Sequence, residues 1–97
     1  MKFMVTWKLR PESRTDCARF ARITPEEERK AWEGQISLIG RWHDPIRRTG
    51  VLICESDNAE ALSRWALDWN SGIDLDIAPV LDDAEIKALG QRRADKA

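Results

Sequence analysis

Four stretches of the chain place apolar residues at every second position, and helix-like stretches fall between them in an order that leaves few folds open. Lys2 to Leu9 alternates Phe3, Val5, Trp7 and Leu9 against Met4, Thr6 and Lys8, the two-residue period of a strand, and Arg10-Pro11 ends it. Asp16 to Ile23 suits a helix, with Cys17, Phe20 and Ala21 on one side and Arg19 and Arg22 on the other. Thr24-Pro25-Glu26-Glu27 reads as a capping box with proline at the first helical position, and it starts a second helical piece over Pro25 to Glu33 that stops at Gly34. Ile36 to Asp44 and Arg48 to Glu55 are the second and third strands, joined through Pro45-Ile46-Arg47 as a hairpin, with Gly50 marking a bulge near its mouth. Asp57 and Glu60 form a capping pair for a helix in which Leu62, Trp65, Ala66 and Trp69 recur at spacings of three and four, closed by Ser71-Gly72. Ile73 to Val80 alternates again. Asp82 with Glu85 then caps a last helix that Gly90 is expected to end, leaving 91–97 as a frayed polar tail.

The strand, helix, strand, strand, helix, strand order is the split β-α-β pattern of the ferredoxin-like α+β fold: a four-stranded antiparallel sheet, helices on one face, and an extra C-terminal helix. The chain has 97 residues, 42% of them apolar, which suits a single domain with one core over 1–90. Sixteen basic and seventeen acidic residues nearly cancel, which argues against a dedicated nucleic-acid binder. An RNA-recognition module shares the strand order, but it stacks bases on third-strand aromatics, and Arg48 to Glu55 has none. The run after Met1-Lys2 is too short for a signal peptide, and no stretch approaches the roughly 20 apolar residues of a membrane helix, so a cytoplasmic location is expected. Cys17 and Cys54 lack metal-type spacing and are expected to be reduced, partly buried thiols.

Strict alternation sorts the strands into two faces. Phe3, Val5, Trp7, Leu9, Ile36, Leu38, Trp42, Leu52, Cys54, Ile73, Leu75 and Ile77 are expected to meet the helices. The opposite set mixes aliphatic Ile39, Val51, Ile53 and Val80 with Thr6, Arg41, His43, Glu55, Asp74 and Asp76, which suggests a lined cavity or an interface with a second copy. Of the tryptophans, Trp7, Trp42, Trp65 and Trp69 read as packing, and Trp32 as the exposed one.

The strings Met1-Lys2-Phe3-Met4-Val5-Thr6-Trp7, Ile39-Gly40-Arg41-Trp42-His43, the Trp65-to-Trp69 helix and Pro79-Val80-Leu81-Asp82-Asp83 with Glu85 resemble a bacterial family known only as domain of unknown function 3303. The resemblance implies the dimeric α/β-barrel group, which includes small monooxygenases, isomerases and haem-degrading enzymes, and it brings no catalytic residue with it.

The chain's only histidine, His43, is the natural acid or base, and Arg41 two residues before it offers a bidentate grip on an anion. Thr6, Glu55 and Asp76 are expected to line the same open-face pocket for a small organic molecule, with Glu55 or Asp76 rather than Asp44 as the partner of His43. Asp74 and Asp76 are read as inward charges that protect an edge strand, not as metal ligands. No cofactor is implied, haem being the weaker alternative. The reading is thus a homodimer joined through the open sheet face. Its pocket either supports cofactor-independent proton transfer or oxygenation, or serves a non-catalytic binding or dimerisation module.

Overall fold

Alternating stretches pair because each has one apolar face to bury and a full set of backbone donors and acceptors to satisfy. In the computed structural model, which describes residues 1–13 and 16–96, Lys2–Leu9 (β1), Ser37–Asp44 (β2), Thr49–Glu55 (β3) and Ile73–Val80 (β4) form one antiparallel sheet in the order β2-β3-β1-β4. The helices are Asp16–Arg22 (α1), Pro25–Trp32 (α2), Ala59–Trp69 (α3) and Asp83–Lys96 (α4). This is the expected ferredoxin-like arrangement, with β1 and β3 central.

The core lies on the helix side of the sheet. Phe3, Val5, Leu52 and Cys54 from the central strands meet Trp32 of α2, Ile36 and Leu62 of α3, with Trp7, Trp65 and Leu75 packed around them. Trp32, expected to be exposed, is therefore a core residue, and its indole N–H finds no partner among the described residues. The connection into α3 is tied down by Ser56. Its buried hydroxyl donates to the Gln35 carbonyl at 2.7 Å and accepts from the Asn58 N–H.

The caps show how the sequence sets the helix starts. Thr24 Oγ1 accepts from the Glu27 N–H at 3.1 Å and donates to its carboxylate, while Asp82 and Glu85 each accept the other's backbone N–H. α3 starts one residue later than the Asp57–Glu60 pair suggests, because Asn58 accepts from Ala61 N–H and is the true N-cap. At its other end α4 runs through Gly90 to Lys96, so residues expected to fray are helical, and Ala97 lies outside the described residues.

One irregularity in β2 changes the reading of the site. Leu38 stands opposite Cys54 and Gly40 opposite the very next residue, Ile53, which leaves Ile39 as an extra, unpaired residue: a β-bulge. Side chains directly opposite in a ladder share a face. Beyond the bulge Arg41 faces Leu52 and His43 faces Gly50, whose other neighbour is Trp7, so Arg41 and His43 point to the helix side. Trp42 faces Val51 on the open side. The expected assignment of these three residues is thus inverted. The extra residue shifts the phase of the alternation by one, which flips every side chain after it.

The bulge also lies at Ile39 and not near Gly50. Gly50 sits in a regular ladder, where a Cβ would overlap the Trp7 indole lying across it. On the other face of the sheet Trp42 lies over Gly40 in the same manner.

Candidate functional site

The element nearest β2 on the helix side is the α1–α2 segment, and its side chains meet Arg41 and His43. Arg41 makes a bidentate pair with Glu28 of α2: Nη1 donates to Oε2 at 2.8 Å and Nη2 to Oε1 at 3.0 Å. Both side chains are only 17% exposed, so the pair lies largely out of solvent screening. The Arg41 guanidinium also sits 4.7 Å from the centre of the Phe20 ring, within cation–π range. Phe20 in turn stands 5.1 Å from the His43 ring and 6.4 Å from Trp69, and Trp7 meets His43 edge-on at 5.6 Å.

His43 keeps an exposed edge at the margin of the sheet, with Phe20 and Trp7 packed against its ring. Partial removal from water, and then the charge of Arg41, hold its pKa below the usual imidazole value of 6.5. An unfolded chain binds this proton more tightly than the folded one. The group's contribution to stability is therefore present above pH 6.5 and is lost as pH falls through the folded value. Arg41→Ala is expected to raise the His43 pKa, since it removes a repelling charge and leaves the Glu28 carboxylate unpaired nearby. Asp76→Ala should leave it unmoved, and NMR titration of the ring protons reads both.

The other expected pocket residues lie elsewhere. Thr6 and Asp76 are direct neighbours across β1 and β4 on the open face. Glu55 shares that face at the far end of β3, five positions from Gly50, which is roughly 17 Å along the strand. There it lies 3.6 Å from Lys2 Nζ and 3.3 Å from the amino terminus. The constellation of Thr6, Arg41, His43, Glu55 and Asp76 is thus split by the sheet, and neither Glu55 nor Asp76 is a partner for His43. Asp44 has a turn-forming role instead: its carboxylate accepts from the N–H groups of Ile46 and Arg47, and Arg48 completes the turn at φ 57°. Asp74 pairs with Arg10 at 2.9 Å on the sheet edge. Among the described residues no group of three or more His, Cys, Asp or Glu side chains is placed to hold a metal.

A cleft of about 570 Å³ opens between α1, α2 and α3, beside the Arg41–Glu28 pair. Arg19 and Arg22 of α1 and Glu28 of α2 line it opposite Trp65, Asp68 and Trp69 of α3. The Arg19 guanidinium lies 4.0 Å over the Trp69 ring and donates to the Asp68 carbonyl at 3.2 Å. Since Arg41 neutralises Glu28, the cations that line the cleft among the described residues are Arg19, already held over Trp69 and on the Asp68 carbonyl, and Arg22, with Glu27 and Asp68 as acceptors across from them. The sequence carries no mark of this cleft. Glu28 stands in an acidic run where nothing marks it off from Glu26 and Glu27, and Trp69 reads as packing.

The Gly40-Arg41-Trp42-His43 string is therefore structurally committed at every position: a glycine under an indole, an ion pair to α2, an outward tryptophan and a ring stacked on α1. A family model described as Domain of unknown function (DUF3303) matches residues 1–94, which includes this string and every side chain of the cleft. The chain belongs to the DUF3303 family. No curated protein matches it. Membership in DUF3303 carries no assigned reaction, so the chemistry of this member rests on its own residues. No helix among the described residues is long and apolar enough to cross a membrane.

Proposed function

We propose that this DUF3303 chain is a homodimeric, cytoplasmic protein of the dimeric α/β-barrel group that binds a small organic molecule in the cleft between α1, α2 and α3. The observation that carries the reading is the β2 bulge. By turning Arg41 inward onto Glu28, it fixes α2 at the cleft wall and leaves the sheet's other face, with Trp42 61% exposed, for a second copy. Arg22, Arg19 lying over Trp69, and the half-buried Trp65 suit a flat apolar body bearing an acidic group, held by packing against Trp65 and by a charge-assisted hydrogen bond to the arginines.

Binding is favoured over turnover by the position of His43. Its ring packs against Phe20 and is not among the side chains that line the cleft, so a proton-transfer role requires a rearrangement that brings the two together.

The test is titration with 2-naphthoate, followed by tryptophan fluorescence. Saturable binding is expected, weakened about tenfold or more in Arg19→Ala/Arg22→Ala, in line with loss of a charge-assisted contact. Affinity unchanged by that double substitution, or no saturable binding in the wild type, would contradict the cleft as the site.

A further inference from the structure

α4 is long, and its own sequence does not stabilise it. Every residue of Asp83–Lys96 is exposed, including Ile86 at 50% and Leu89 at 37%, three residues apart on one face of the helix. Isolated helices below about 12–15 residues are marginal in water even in alanine-rich chains, and an interior glycine such as Gly90 costs about 1 kcal/mol more. What α4 has is an anchored first turn. Besides its capping box, Lys2 of β1 stands 3.3 Å from Asp82 and 3.6 Å from Glu85. From that corner the rest of the helix extends outward. The radius of gyration is 15.9 Å, against about 12–13 Å for a compact chain of this length, and the longest dimension is 52 Å.

The same molecule has a second uncovered surface, the open sheet face, where Trp42 lies flat over Gly40 and stays 61% exposed. Four strands of seven or eight residues give that face an area of roughly 500 Å². Pressed together, two such faces give a flat contact of about 1,000 Å² in all, at the small end for a stable complex, which typically buries roughly 1,200–2,000 Å² of accessible surface. A helix of α4's length laid across the partner supplies the shortfall.

We infer that α4 of each copy packs through Ile86 and Leu89 against the Trp42 side of the second copy's open sheet face, so that the two helices clasp the dimer. This rests on the dimer proposed above. The partner's sheet gives α4 an apolar contact beyond its anchored first turn, and the apolar surface left on each copy is covered by the other.

The test uses the full chain. Sedimentation equilibrium is run on wild type and on Ile86→Glu/Leu89→Glu, and amide hydrogen exchange of 83–96 is followed in wild type above and below the dimer dissociation constant. The clasp predicts a wild-type dimer, at least a tenfold weaker one in the double variant, and α4 amides protected only in the dimer. A wild-type dimer whose α4 amides exchange freely, or whose affinity is untouched by the double substitution, overturns the clasp and leaves sheet-to-sheet dimerisation standing. A wild type that is monomeric at high micromolar concentration overturns both. Protection of α4 at every concentration overturns the clasp in favour of packing within one chain.

Discussion

Arg41→Ala is expected to lower the free energy of unfolding by about 2 kcal/mol, read from urea midpoints at unchanged slope. The substitution does more than delete a surface charge. Arg41 and Glu28 are each 17% exposed and meet through two parallel hydrogen bonds, so removing the arginine leaves a carboxylate facing Leu52's side of the sheet without its partner. Breaking a fully buried pair in this way typically costs about 3–5 kcal/mol, and the residual exposure here brings the figure down. Packing adds to it, since the guanidinium also covers Phe20. Arg41→Lys is expected to recover only part of the loss, because a point-charge ammonium cannot reproduce the bidentate geometry or the stacking. Were Arg41 on the open face, its removal would change stability by less than about 0.5 kcal/mol, as for ordinary surface substitutions.

The second large effect is expected at Gly50. A methyl group there collides with the Trp7 indole, which is packed against the core and also meets His43. Gly50→Ala is therefore expected to cost about 1–3 kcal/mol, the usual range for forcing a side chain out of a filled site, despite alanine's lower entropy cost on folding. Trp7 has to tilt away from the sheet, so its contact with His43 loosens and the His43 pKa should move back toward 6.5. Thermal unfolding and the ring-proton titration together separate this from simple loss of stability. A variant as stable as wild type with an unmoved histidine would show that the indole does not lie across Gly50.

The fold was legible because its signals are local and redundant. Period-two alternation marks β1, β3 and β4 directly, Thr24 with Glu27 and Asp82 with Glu85 mark helix starts, and the strand order follows from their sequence. The site was not legible, because one extra residue carries the error. Ile39 is aliphatic like its neighbours and gives no sign of standing outside the ladder, so strict alternation put Trp42 inside and Arg41 with His43 outside. Gly40 was the available clue, since a glycine within a strand often marks a bulge or a close approach, and here it marks both. An arginine on an open face needs no partner, so strict alternation gives Glu28 no role that sets it apart. The Arg41–Glu28 pairing spans two elements whose contact is set by the tertiary fold alone.

The orientation of β2 beyond its bulge is the claim on which the cleft, the dimer face and the behaviour of His43 all depend. A double-mutant cycle over Arg41→Ala and Glu28→Ala, in urea at pH 7, tests it most directly. With Arg41 turned to the helices the two residues are expected to couple by about 1–2 kcal/mol, the double variant being little worse than either single one. Additive effects, with coupling below about 0.3 kcal/mol, would place Arg41 on the opposite face and return Trp42 to the core.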